Sequence, residues 1–327
     1  MKASAYFSIM GVTFLSLILV SGCATTVDLS KFHDADMKEA EIMPSKALLK
    51  QERRKIVVFD ADEGNLRNAV DAQLGKTFAV AVEAELVEAG AEIVDRELAI
   101  KLKDELRLAE SHGAGNYKGP QVAQYTVRGK LNSAEYGAKY YEVNRWKDSE
   151  GKYHVDPAYY EHKGVVAGIA SIYELPSLRL LATVKVDGSA SITDPKMSAN
   201  QQTGASLLRT ATVNAIRRSG YELKNLFSPQ GYVVERRSDG DKSIFKILMG
   251  ASQGVRSEDK VIIYSLRKKM NALTGEEKTE EFPVAHAIVS DQINNTESWV
   301  VPENNDASLL VRLGDFVKVR YEGKHFY

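Results

Sequence analysis

Lys55-Ile56-Val57-Val58-Phe59 is a short apolar run bounded by charge, and with the regularly spaced apolar residues after it this run limits the chain's fold more than any other feature. Continuous apolar residues over so few positions suit a strand buried on both faces. After a turn at Asp60 to Gly64, the residues Leu66, Val70, Leu74, Phe78, Val82 and Leu86 recur every fourth position. That spacing predicts one long amphipathic helix, stopped at Gly90. Glu92-Ile93-Val94 reads as a second strand, and Asp95 as the cap of a second helix carrying Leu98, Leu102, Leu106 and Ala109. Gly113, Gly115 and Gly119 end that helix between His112 and Pro120. Strands alternating with helices imply an α/β (α+β) sandwich of mixed sheet and helices.

Tyr125 to Leu131 alternates like a half-exposed strand, and the pattern then changes. From Ser133 to Leu175 tyrosines stand among charges, in a hairpin expected to turn near Asp148-Ser149-Glu150-Gly151 and to return through Val165 to Ile172. Ser177 to Thr193 is strand-like, with Leu178, Leu180, Ala182, Val184 and Val186 on one face, and Ser206 to Phe227 is a final helix. Past Pro229 come short strands at Tyr232 to Arg236, Ser243 to Leu248, Lys260 to Leu266, Val284 to Ser290 and Asp315 to Tyr321. With Asp239-Gly240 and Leu273-Thr274-Gly275 as turns, they imply a small all-β, barrel-like domain over residues 228–327. Ser257-Glu258-Asp259-Lys260-Val261 and Leu313-Gly314-Asp315-Phe316-Val317 echo each other as related turns entering strands, short of a repeat.

Upstream, Met1-Lys2 precedes an apolar run from Tyr6 to Val20, then Val20-Ser21-Gly22-Cys23, which holds the only cysteine. The run is short for a bilayer span, and the pattern resembles the lipobox of bacterial lipoproteins. The resemblance implies a signal peptide over residues 1–22 and a diacylglycerol on Cys23. With Ala24 and Thr25 next in the chain, it also implies sorting to the outer membrane. Residues 23–52 are polar, with Pro44, and read as a lipidated tether with one helical turn around Lys38 to Met43. No later run is long enough to be a transmembrane helix. With 43 basic residues against 44 acidic ones, nothing points to nucleic acid.

The order of Lys55-Ile56-Val57-Val58, long helix, Glu92-Ile93-Val94-Asp95-Arg96-Glu97-Leu98, Glu105-Leu106 and Tyr125-Thr126-Val127-Arg128-Gly129 resembles the α/β module of curli-secretion (CsgG-like) lipoproteins. The same module is similar to the N-terminal domain of TolB, to lipoprotein activators of penicillin-binding proteins and to the middle domain of FlgT. It covers residues 53–227, with the tyrosine-rich excursion at 133–175 inside it. Gly250-Ala251-Ser252-Gln253-Gly254-Val255 leading into Asp259-Lys260-Val261 is similar to the small β domain that ends FlgT-type proteins.

These resemblances imply a periplasm-facing, outer-membrane-anchored scaffold or assembly component of a secretion, curli-like or flagellar-ring-like machine. Protein partners and a homo-oligomeric ring come with that reading. Curli-type channels insert two hairpins per subunit. Here Glu142, Arg145, Lys147, Asp148, Glu150 and Lys152 crowd the one candidate, and Thr193 to Ser206 has no room for a second. An inserted channel and an activator of a peptidoglycan synthase stand as alternatives.

A third alternative is a Mg²⁺-dependent phosphatase, because Phe59-Asp60-Ala61-Asp62 places two carboxylates at the end of a strand. The pattern resembles the Asp-x-Asp of haloacid-dehalogenase-type phosphatases, but Gly64 stands where that family prefers Thr or Val, and the main reading is a non-enzyme without cofactor or metal. The histidines His33, His112, His154, His162, His286 and His325 lack metal-ligand spacing and read as solvated loop residues. Amphipathic aromatics are what contact surfaces use, so Tyr140, Tyr141, Trp146, Tyr159 and Tyr160 are the interface candidates.

Overall fold

The computed structural model describes residues 25–49, 53–95, 97–98, 123–195 and 201–323. Cys23, the signal segment and the expected helix at Leu102 to Ala109 lie outside the described residues, as do His112 and His325. The strands are β1 His33–Asp34, β2 Lys55–Asp62, β3 Glu92–Ile93, β4 Tyr125–Tyr141, β5 Asn144–Lys147, β6 Tyr153–Asp156, β7 Tyr159–Glu174 and β8 Arg179–Asp194. They continue as β9 Gln230–Ser238, β10 Ser243–Ile247, β11 Lys260–Met270, β12 Glu277–Ile293, β13 Ser298–Pro302 and β14 Phe316–Val319. The helices are α1 Lys46–Leu49, α2 Arg67–Ala72, α3 Leu74–Glu88, α4 Gln201–Phe227 and α5 Asn305–Ser308.

Five strands form a mixed sheet in the order β3-β2-β4-β7-β8, parallel at β3/β2/β4 and antiparallel beyond. Ile56, Val58, Val127, Leu131, Ile172 and Val184 meet Phe78, Val82, Leu86, Ile216 and Leu223 of α3 and α4 in one core. Val57 and Phe59 face the other way, where Val94, Leu98, Leu175 and Leu178 join them. Burial on both faces is why β2 is continuously apolar.

The helix expected from Leu66 to Leu86 is two. Gln73 adopts the left-handed conformation (φ 52°) and breaks the register. Leu74, Phe78, Val82 and Leu86 stay buried, but in α2 the inward residues are Ala69 and Ala72, and Val70 is left half exposed. On β8 a bulge opposite Ile172 and Tyr173 turns Leu180 out to solvent, off the face that Val184 and Val186 share.

Six strands, β9-β10-β13-β12-β11-β14, close into a barrel through the β14–β9 pair. β13 has no counterpart among the expected strands; its Ser298-Trp299-Val300-Val301 is too short to signal a period. The echo between the two turns proves to be a pseudo-twofold repeat with an offset of 56 residues, from Asp259 to Asp315. Lys260 pairs with Ile288 as Phe316 pairs with Tyr232. Glu258 N–H donates to Val289 O (2.9 Å) as Gly314 N–H does to Val233 O (2.8 Å). Asp259 and Asp315 each accept the backbone N–H three residues earlier, from Arg256 (2.8 Å) and Arg312 (2.7 Å).

The expected tether is a strap. Val27 is buried with Ile244 and Trp299, β1 pairs with β9, and Ala40 N–H donates to Leu313 O (2.8 Å). Met37 packs against the barrel core, and the helical turn falls at Lys46–Leu49 rather than at Lys38 to Met43. Apolar residues spaced too irregularly for a helix or strand still supply enough buried surface to dock an irregular segment.

Barrel and α/β layer meet end on. Arg53 Nε donates to Ser252 O, and Asn225 exchanges hydrogen bonds with the Tyr321 backbone at 2.8 and 2.9 Å. Lys224 bridges Glu85 (3.0 Å) and Glu88 (3.2 Å) at the same end.

Candidate functional site: the aromatic end of a long hairpin

β4 and β7 pair without interruption from Tyr125↔Glu174 to Tyr141↔Tyr159 apart from one bulge at Leu131/Ser133. At about 3.3 Å per residue, the two strands run roughly 50 Å. Tyr125 marks the end beside the barrel, where its ring meets Phe227 edge-on (5.3 Å). β2 stops at Asp62, paired with Lys130, so the remainder of the hairpin continues without it. α4 accompanies it only part of the way: Gly164 lies against Leu207 and Leu208, and Gly204 lies under the Tyr136 ring. What emerges past the helix is the end of the ladder beyond the buried His162, residues 139–141 and 159–161, with β8 still paired to β7 as far as Tyr160↔Asp194 and the small β5–β6 hairpin beyond.

Alternation decides which aromatics meet there. Tyr140 and Tyr160 are directly opposite on one face (centroids 4.9 Å apart), and Tyr141 stacks on Tyr159 on the other (4.8 Å). Further in along the ladder, Tyr136 Oη lies 2.9 Å from Nδ1 of the buried His162. At the tip Trp146 stacks on His154 (4.4 Å), and its Nε1 donates to Asp156 Oδ2 (3.0 Å). Cross-strand aromatic pairs contribute roughly 0.2–1 kcal/mol each, which stiffens an extension with little core of its own.

Polar contacts fix the ladder further. Tyr141 Oη donates to Glu161 Oε2 (2.9 Å), and Lys139 Nζ sits over the Tyr141 ring. Asp148 closes the expected turn at Gly151: its carboxylate meets His154 Nε2 (2.7 Å) and accepts the backbone N–H groups of Lys152 (2.9 Å) and Glu150 (3.0 Å). These bonds, the one to His154 foremost, hold the Asp148 carboxyl below its ordinary value.

All five interface candidates lie in this extension. Tyr140, Tyr141, Tyr159 and Tyr160 form two facing pairs, and Trp146 caps the tip. Tyr140 is 52 % exposed, Trp146 45 % and Tyr153 76 %. Tyr153, His154 and Val155 belong to the same surface and are absent from the candidates read from sequence; the alternation of Tyr153-His154-Val155 is the signal that could have found them. The expectation of solvated histidines fails at His162, which is fully buried because its strand position faces α4 and Tyr136.

Asp60 and Asp62 sit at the end of β2 and are both exposed. Asp62 Oδ1 accepts the Gly64 N–H (3.0 Å), an ordinary turn closure. Among the described residues no group of three or more His, Cys, Asp or Glu is placed to hold a metal ion.

No family model and no curated protein matches the chain. Among solved structures, it is similar to a point variant of the PelC dodecamer from Paraburkholderia phytofirmans, at 13% identity and TM-score 0.21, covering 56% of this chain and 98% of that one. A second crystal form of the PelC dodecamer gives 14% identity and TM-score 0.20, covering 50% and 87%. Superposition this weak carries no argument about fold or function.

Proposed function

We propose that this protein is an outer-membrane-anchored, periplasm-facing lipoprotein that acts as a scaffold or assembly component of a cell-envelope machine, with its α/β sandwich holding out the aromatic hairpin as the contact surface. The observation that carries the reading is the hairpin itself: exposed Tyr140 at the end of β4, and exposed Trp146 and Tyr153 on the β5–β6 hairpin that β4 and β7 hold out beyond the helix packed on their sheet. Rigid aromatics present contact area at small entropic cost. The same geometry speaks against the inserted-channel alternative. A membrane strand needs about 9–11 residues, whereas residues 139–141 and 159–161 emerge here, with Lys139 and Glu161 among them. Only residues 195–200 separate β8 from α4, which leaves no second hairpin.

The strap changes how such an anchor works. Val27 N–H donates to Asp291 Oδ1 (2.9 Å) and Asp291 N–H to Thr25 O (3.2 Å), so the chain is held on the barrel at Thr25, two residues from Cys23 in sequence. At about 3.6 Å per residue, a lipid on Cys23 holds the barrel against the bilayer instead of suspending it on a long tether. The test is twofold. Cys23→Ser should move the protein from the membrane to the soluble fraction. Replacing Tyr140 and Trp146 with Ala should shrink its native complex while leaving it membrane-bound. A complex of unchanged size in the second variant refutes the contact role, and unchanged membrane retention in the first refutes the anchor.

A further inference from the structure

Two exposed surfaces of this molecule are apolar at the centre and opposite in charge at the rim. The first is a groove of about 430 Å³ between the outer faces of α3 and α4. Its floor is Val80, Ala84 and Val213, with Val80 51 % exposed, and its rim carries Lys76, Arg209 and Arg217. None of these three cations makes an ion pair among the described residues. Glu85 also borders the groove, but its carboxylate is turned to Lys224 (3.0 Å), which it shares with Glu88.

The second is a knob on the barrel. Leu309 and Leu310 come directly after α5 and are 69 % and 60 % exposed. The segment Glu303-Asn304-Asn305-Asp306-Ala307-Ser308-Leu309-Leu310 carries two carboxylates and no basic residue, and neither carboxylate is ion-paired among the described residues. It is held stiffly, with Asn304 Oδ1 accepting the Asp306 N–H (2.8 Å) and Ser308 Oγ donating to Asn305 O (2.6 Å).

Pseudo-symmetry adds an independent reason. Offset by 56 residues, Leu309-Leu310 corresponds to Gln253-Gly254. That first-half surface is already an interface within one molecule: it abuts Gly90, just past α3, so closely that a Cβ there would collide with the Gln253 carbonyl. The second half presents the equivalent surface to solvent, with leucines in place of Gln and Gly.

We infer that the Leu309-Leu310 knob of one copy seats in the α3/α4 groove of a second copy, its Glu303 and Asp306 answering Lys76, Arg209 and Arg217. The contact joins two different patches, so it is head-to-tail, and it propagates into a ring if the rotation closes. It deepens the reading as an assembly component and rests on it.

Sedimentation velocity of the full-length protein in mild detergent tests this. The wild type should self-associate as its concentration rises. Leu309→Asp with Leu310→Asp should return a monomer, and so should Arg209→Glu with Arg217→Glu. Adding Glu303→Lys and Asp306→Lys to the second pair should restore association. All are surface positions, and circular dichroism confirms that each variant is folded. A wild type that stays monomeric, or association unmoved by either pair, overturns the contact. Loss in the groove variant alone overturns it too, because a segment of the second copy other than Leu309-Leu310 then fills the groove. A monomeric variant that keeps its membrane attachment and its hairpin partner leaves the scaffold reading standing and separates the two failures.

Discussion

Asp315 makes the barrel's stability depend on pH in a direction opposite to that of a salt-bridged carboxylate. The side chain is fully buried; Oδ2 accepts the Arg312 N–H (2.7 Å), and Oδ1 has no partner. Burial pushes the carboxyl up from 3.8 to about 6, outweighing the Arg312 hydrogen bond and the charges of Arg312 and Arg267. The folded state therefore binds this proton more tightly than the unfolded chain does. The contribution to stability is complete below pH 3.8 and is lost as pH rises through about 6. Two pKa units at about 1.4 kcal/mol each come to roughly 3 kcal/mol. Asp315→Asn keeps the shape and the acceptor but cannot ionise. Its stability relative to wild type should rise by up to about 3 kcal/mol between pH 4 and pH 7. Urea unfolding read by Trp299 in a Trp146→Phe background isolates the barrel signal. A difference between the two proteins that stays constant with pH would mean that burial does not raise the Asp315 carboxyl.

Val27→Ala removes side chain packed against Ile244 and Trp299; at about 0.8 kcal/mol per buried methylene it should cost the barrel about 1.5 kcal/mol in the same urea assay. A Cβ added at Gly188 would lie 2.5 Å from both Ala211 O and Ala215 N. Gly188→Ala should therefore push α4 from the sheet and cost about 1–3 kcal/mol, visible as a lowered melting temperature of the α/β layer.

How much of this is legible in the sequence depends on periodicity. β2 and the residues Leu74, Phe78, Val82 and Leu86 are readable because a buried strand and an amphipathic helix each impose a repeat on the residue types. The split at Gln73 is not, since a left-handed glutamine leaves no mark in composition. The barrel's turns show as an echo between Asp259 and Asp315, and only strand register makes that echo a repeat. The strap escapes a sequence reading because Val27, Leu29 and Phe32 bury themselves on a domain more than two hundred residues away, with no local period. For the candidate site, the tyrosines announce an aromatic surface. Their pairing as Tyr140 with Tyr160 and Tyr141 with Tyr159 requires the register of β4 against β7.

In the proposed scaffold it is the hairpin tip, and not the barrel's own long hairpin, that meets the partner. A photo-crosslinking residue placed at Tyr153, 76 % exposed on β6, and in a parallel strain at Leu273, 97 % exposed between β11 and β12, tests it in intact cells. Illumination should give a discrete heavier species from position 153 and none from position 273. Adducts from Leu273 alone, or the same species from both positions, would place the contact elsewhere and overturn the assignment.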